Sequence, residues 1–360
     1  MRTLDLLHRW TGGLLGLVLA LLGLSGTILL HRDAWVMLPH AGDAQVSDTV
    51  AIAATVERLM ADPAARPQSI IFARETFGLH RLAFGEDAGA YADQAGNLVT
   101  SWQSQWERPE LWLFDLHHHL FAGDTGETII GIAGLAGLFF VVSGVILWWR
   151  TRRTFAFRFW PKRLTRSAIT RHHRDLGVVV APLLLLSLYT GLTMVFRPTT
   201  VLVLGPSAPK VIDKALKGPD PIEAKLADRL DWGSIVHTAR ERFPNAELRI
   251  LSLPRGGSGL ISLRMKQPEE WLPNGRTTLY FAADTGRLVQ ARDALALPVQ
   301  ARGFNMLYPL HAAKVGGLPY RLVMTVSGLA LTLLGSLAVW SFWFAGGTRQ
   351  GIGRARRSPA

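Results

Sequence analysis

The chain has 360 residues, 49% of them hydrophobic, with a formal net charge of +12 and no cysteine. Its positive mean hydropathy exceeds what a water-soluble domain of this size tolerates, so much of the chain is expected to face lipid. The absence of cysteine excludes disulfides, thiolate catalysis and iron–sulfur ligation.

In chain order, Arg2 and Arg9 lead into the first apolar run, Trp10 to Leu30. It is too long for a signal-peptide core, and no small-x-small cleavage site precedes His31 and Arg32, so it reads as a retained helix within residues 1–31. Residues 32–128 form a first outer segment. There Ala51 to Ala61 predicts a short amphipathic helix, and Ser69 to Phe72 and Leu79 to Phe84 predict strands. Trp102, Trp106 and Trp112 near its end fit an interfacial aromatic belt. A second span covers 129–149, a basic loop 150–175 and a third span 176–196. The second outer segment, 197–321, predicts a helix at Trp232 to Phe243 and strands at Glu247 to Leu253, Leu260 to Met265 and Thr277 to Ala282. Within it, Arg255-Gly-Gly-Ser-Gly259 reads as a hairpin turn, since it lacks the lysine ending of a phosphate loop. A fourth span at 322–344 and a basic tail at 345–360 complete the chain. Each span is long enough for roughly 30 Å of hydrocarbon at about 1.5 Å per residue, and none holds an ionisable side chain.

Lys and Arg crowd the loop from Arg150 to Arg174 and recur in the tail at Arg349, Arg354, Arg356 and Arg357. Cytoplasmic flanks carry that excess, which predicts a multi-pass protein of a bacterial inner membrane with both termini in the cytoplasm. The net charge therefore answers to topology and anionic lipid headgroups in the bilayer, and nucleic acid is not expected as a partner.

The two halves resemble each other. One constant shift lays His8, Arg9, Gly12 and Gly26 on His173, Arg174, Gly177 and Gly191. A second lays Leu116, His117, Gly123, Gly134 and Trp149 on Leu310, His311, Gly317, Gly328 and Trp343. Tyr91 to Val99 likewise parallels Phe281 to Val289 as strand, turn and strand. The expected architecture is four transmembrane α-helices as two pseudo-repeated two-helix units, related by an axis along the membrane normal.

Eight of the eleven histidines (His8, His31, His117, His118, His119, His172, His173 and His311) sit at or near span boundaries. Imidazole at a bilayer boundary is a metal-ligand candidate. Steps of four from His8 reach Gly12 and Gly16, and from His173 they reach Gly177 and Ala181, so small residues line the face beside each histidine. A flat macrocycle with an axial imidazole needs such a groove, whereas a bare zinc or copper ion does not. Without a Cys-x-x-Cys-His sequence the form is noncovalent haem b, two per chain. His8 with His173 would hold one and His117 with His311 the other, with His118 as the substitute for His117. Arg9, Arg174, Lys314 and Arg321 are the candidates to neutralise propionates. Two plainer readings stand beside this: small residues that only pack helices closely, and a triple-histidine run that is a surface metal tract. His40, His80 and His237 have no repeat partner and are expected to play ordinary hydrogen-bonding roles.

The chain resembles the PepSY-associated transmembrane proteins, which include iron-regulated inner-membrane proteins and siderophore reductases such as ferrioxamine reductase. The resemblance rests on four motifs and covers nearly the whole sequence. They are His8-Arg9-Trp10-Thr11-Gly12, Asp115-Leu116-His117-His118, Arg171-His172-His173-Arg174-Asp175-Leu176-Gly177 and Pro309-Leu310-His311. It implies that both outer segments are α+β PepSY-like domains, with turns at Asp93 to Gly96 and Asp284-Thr285-Gly286. It also implies a haem-dependent oxidoreductase that reduces a ferric siderophore or other ferric chelate in the periplasm. No nucleotide fingerprint such as Gly-x-Gly-x-x-Gly lies between a strand and a helix, so the electron donor is a separate protein or membrane carrier. The alternative is a cofactor-free regulatory or binding protein of the same family.

Overall fold

The computed structural model describes residues 2–344. The basic tail used above for orientation lies outside the described residues. The elements run α1 (Arg2–Leu30), α2 (Arg32–Trp35), α3 (Thr49–Met60), β1 (Ser69–Ile71), β2 (His80–Ala83), β3 (Gly89–Ala92), β4 (Leu98–Trp102), α4 (Pro109–His119), α5 (Gly123–Thr151) and α6 (Arg166–Val195). They continue α7 (Val201–Leu204), α8 (Ala208–Leu216), α9 (Trp232–Arg242), β5 (Glu247–Ser252), β6 (Leu260–Lys266), β7 (Thr277–Ala282), β8 (Leu288–Arg292), α10 (Val299–His311) and α11 (Gly317–Trp343).

Four helices, α1, α5, α6 and α11, are long and apolar enough to cross a membrane. Each starts several residues before the apolar run that betrays it, because the backbone stays helical through polar flanks such as Arg166–Asp175 that hydropathy alone does not mark. Lipid offers apolar helices no hydrophobic reason to associate, so close backbone approach has to hold them together. Glycines supply it. A Cβ on Gly16 would come 2.9 Å from the Gly335 carbonyl oxygen, and one on Gly23 would come 2.6 Å from that of Gly328. As α1 advances from 16 to 23, α11 retreats from 335 to 328, so the two run antiparallel. On α5, Gly131 and Gly137 meet Val195 and Leu188 of α6 in the same antiparallel sense. Leu19, Ala133, Leu176, Val180, Leu184, Leu188, Ala330 and Leu334 form the apolar core of the helices.

Residues 31–112 and 200–309 form the second compact unit. The sequence predicts two domains here, but the strands of both segments join one eight-stranded antiparallel sheet in the order β4-β3-β2-β1-β5-β6-β7-β8. The join is the β1–β5 pair, with Ser69, Ile70 and Ile71 opposite Ser252, Leu251 and Ile250. One core serves both halves, with Val56, Met60, Ile70 and Leu82 packing in the same cluster as Trp232, Ile235, Leu251, Ile261 and Phe281. Separate four-stranded sheets would each have left an open edge at β1 and β5, which this pairing removes. Helices α3 and α9 of the unit start on aspartate caps. The Asp48 carboxylate accepts from the Val50 and Ala51 amides, and that of Asp231 from the Ser234 amide at 2.6 Å. Glu57 of α3 accepts from the Gly233 amide at 2.6 Å, and Arg240 Nε of α9 donates to Thr49 Oγ1 at 3.2 Å, so each helix binds the other's first turn.

The glycine-rich Arg255–Gly259 stretch does form the β5–β6 hairpin, with positive φ at Gly256, Gly257 and Gly259. Trp102 is a correction to the aromatic belt: it is buried in a small core with Tyr91 and Leu111, and its Nε1 donates to the Asp87 carbonyl at 3.0 Å. An indole whose N–H finds a fixed acceptor is well placed in a core. Trp106 is exposed.

Candidate functional site

His8 on α1 and His173 on α6 lie near the starts of their helices, and the structure brings them together with ring centroids 6.4 Å apart and planes at 86°. His117 in the last turn of α4 and His311 at the end of α10 form a second pair, at 6.2 Å and 41°. Both helix partners of the second pair are glycines. Gly26 of α1 faces His117 and Gly191 of α6 faces His311, and in each case a Cβ would come 2.9 Å from the ring Cε1. The two pairs thus sit toward opposite ends of α1 and α6, about 27 Å apart by helical rise between the levels of residues 8 and 26, close to the thickness of the hydrocarbon.

Hydroxyls hold three of the four rings. Ser25 Oγ lies 3.0 Å from His117 Nδ1, Thr190 Oγ1 3.2 Å from His311 Nδ1, and Ser143 Oγ 2.7 Å from His8 Nδ1. Each hydroxyl also bonds back to the carbonyl one turn earlier: Ser25 to Leu21 at 2.8 Å, Thr190 to Leu186 at 2.7 Å and Ser143 to Phe139 at 2.6 Å. A hydroxyl has one proton; with that proton on the carbonyl, the oxygen is an acceptor, Nδ1 is the N–H and Nε2 keeps its lone pair. His311 Nδ1 also donates to the Ser187 carbonyl at 3.0 Å, which requires the same tautomer. His173 differs. Its Nδ1 is buried with no partner of normal hydrogen-bond geometry, and the Leu334 carbonyl is the backbone acceptor beside the ring.

An iron held between two imidazole nitrogens, at about 2 Å from each, sets the ring centroids about 6 Å apart. Both pairs have that separation. Among the described residues no third His, Asp or Glu joins either pair to make a bare-metal site. The two imidazole pairs would suit a macrocycle iron, which His8 with His173 and His117 with His311 would hold.

The neighbouring histidines have other partners. His118 stacks on Phe114 at 4.0 Å, and His119 Nδ1 lies 2.9 Å from Asp115 Oδ1. His172 is buried, with Nε2 3.1 Å from the Phe159 carbonyl, which anchors the α5–α6 loop. Arg174 is also committed to the protein: its Nε donates to Asp175 Oδ1 at 2.7 Å and its Nη1 to Thr154 Oγ1 at 3.0 Å. Arg9 is half exposed and 3.9 Å from Asp5. Of the small residues, Gly16 packs on Gly335, and Gly12 meets only the Ala338 Cβ at 3.8 Å; beside Gly177 no heavy atom stands within 4 Å of a Cβ position. Gly16 thus belongs to helix packing, while Gly12 and Gly177 are not held against a neighbouring backbone.

Residues 6–345 match the PepSY-associated TM region. The chain belongs to the PepSY-associated TM family. With its four apolar helices, this family member is a multi-pass membrane protein. It is similar to an uncharacterized protein of Pseudomonas aeruginosa, 30% identical over 213 residues, a stretch that is 56% of this chain and 53% of that protein. The chain thus spans about half the length of the curated relative it matches.

Ser25, Thr190 and Ser143 were missed in the sequence of this PepSY-associated TM protein, although a signal exists. Ser25-Gly26, Ser143-Gly144 and Thr190-Gly191 are all hydroxyl-glycine pairs, and Gly144 stands 3.6 Å from His8 Cε1 by its Cβ position. The histidines outside the pairs are local: His40 Nδ1 is 2.8 Å from Asp43, and His237 is exposed. His80 is buried in the sheet unit, where its Nδ1 accepts from the Ala73 amide at 2.9 Å. Burial pushes its pKa down from 6.5 to about 4, against a weaker upward pull from Asp93. Above the upper value both folded and unfolded chains hold it neutral; between the two, only the unfolded chain binds the proton. Stability should therefore fall by about 3 kcal/mol as pH drops through that window. Thermal unfolding of the full chain across it, with His80→Phe as the comparison, should show a flatter pH dependence in the variant.

Proposed function

We propose that this protein is a b-type haem protein of the bacterial inner membrane that transfers electrons across the bilayer to reduce a ferric siderophore or other ferric chelate in the periplasm, serving iron acquisition. The observation that carries this reading is the pair of bis-imidazole arrangements at opposite ends of α1 and α6, with centroids at 6.4 and 6.2 Å. His8 and His173 would hold one haem b and His117 and His311 a second; bound there, haem supplies reversible one-electron carriage. The protein's own part is to orient the four rings, to keep Nε2 of three of them unprotonated, and to surround them with apolar helices that exclude water.

The architecture behind it is two copies of a two-helix unit. The sheet order reads outward symmetrically from the β1–β5 join, α1 packs with α11 as α6 does with α5, and Ser25-Gly26 with His117 repeats as Thr190-Gly191 with His311. Both termini are assigned to the cytoplasm by the basic residues between α5 and α6. The electron donor is a separate cytoplasmic or membrane component, and the ferric chelate is met on the periplasmic side.

Protein purified from haem-replete cells is expected to show a Soret band and, on reduction, a sharp alpha band, with pyridine haemochrome giving about two haems per polypeptide. A colourless preparation would overturn the reading.

A further inference from the structure

The four histidines are not held alike. Three carry an Nδ1 that faces, at 2.7 to 3.2 Å, a helical Ser or Thr oxygen that also bonds back to its own helix. The hydroxyls are buried, with Ser25 at 2%, Thr190 at 1% and Ser143 at 1% exposure. The fourth, His173, has no such oxygen: the repeat shift that lays Trp149 on Trp343 lays Ser143 on Leu337.

We infer that Ser25, Thr190 and Ser143 are positioning residues that fix the tautomer and strengthen the donor nitrogen of His117, His311 and His8, and that the missing hydroxyl at Leu337 makes the His8/His173 site lopsided. An acceptor on Nδ1–H pushes electron density toward Nε2, which makes the imidazole a better ligand for the more highly charged ferric state. The His117/His311 site receives this from a hydroxyl on both sides and the His8/His173 site from a hydroxyl on one, His173 having only the Leu334 carbonyl beside its ring. Loss of the Ser143 hydroxyl would leave the His8 ring free to rotate and to flip tautomer, whereas His311 would keep the Ser187 carbonyl as a second acceptor. In hydrocarbon no water replaces the lost partner, so the effect is not masked. The inference rests on the haem reading above.

Redox titration of the purified full-length protein, followed by visible absorbance and low-temperature EPR, tests it. Ser25→Ala with Thr190→Val should raise the midpoint potential of one spectral component and weaken its haem retention about tenfold, leaving the other unchanged. Ser143→Ala should raise the other component instead. Leu337→Ser, which supplies the missing hydroxyl, should lower that same component. The exchange Ser25→Thr with Thr190→Ser keeps both hydroxyls and should restore the native potential. Haem-loaded alanine and valine variants with native potentials would overturn the inference, as would loss of haem from the hydroxyl-preserving exchange as well. A native protein without haem is seen in the absorbance spectrum before any titration, and it overturns the haem reading itself.

Discussion

Replacing His117 and His311 together by alanine is expected to halve the haem content, from about two to about one per polypeptide, while the protein still accumulates in the membrane. The rings project from α4 and α10 onto Gly26 and Gly191, so truncation removes side chains from the seam without forcing any helix apart. His118 should not rescue His117→Ala, because its ring is stacked on Phe114 at 4.0 Å with planes 21° apart. His118→Ala should accordingly retain both haems. The matching double variant at His8 and His173 should remove the other half. Pyridine haemochrome per polypeptide reads each of these variants, and growth on a ferric chelate as sole iron source reads the consequence. Native growth in the absence of all four histidines would favour the cofactor-free regulatory reading of this family.

The histidine pairs were legible in the sequence because spacing carries them: each lies at a span boundary, and its partner lies at the same place in the other half. The four spans were legible for a related reason, since solvent chemistry writes itself directly into hydropathy. The β1–β5 join was not legible. Ser69–Ile71 and Glu247–Ser252 read as strands, but nothing local distinguishes an edge that stays open from one that pairs with a distant segment. Helices α4 and α10 were passed over as lead-ins. Pro109 and Pro309 make their sequences look like breaks, yet Pro109 begins a helix, where its missing N–H is no loss, and Pro309 falls in the last turn of α10. The hydroxyls at 25, 143 and 190 were invisible for a subtler reason. Ser and Thr in a span ordinarily bond back to their own helix, and these do so; only the structure reveals that the same oxygen also lies within hydrogen-bond reach of an imidazole Nδ1.

The small residues allowed two readings, helix packing and a groove for a cofactor, which a pair of substitutions can separate. Gly23→Leu is expected to destabilise the protein by about 3 kcal/mol or more, because its Cβ would meet the Gly328 carbonyl oxygen at 2.6 Å and the Thr332 amide nitrogen at 2.9 Å. Neither obstacle is the far end of a flexible side chain, so α1 and α11 would have to part along their whole seam. Lipid then offers the separated faces no drive to re-associate. Gly177→Leu has the opposite profile. No heavy atom lies within 4 Å of its Cβ position, so thermal unfolding in lipid should stay within about 0.5 kcal/mol of native. Gly177 is one helical turn from His173 on the same face, however, so the added side chain would fill the space where a macrocycle would lie against α6. Haem content should then fall toward about one per polypeptide with the fold intact. If Gly177→Leu keeps both haems and full stability, small residues on that face serve neither packing nor a cofactor, and the groove beside His173 is not where haem sits.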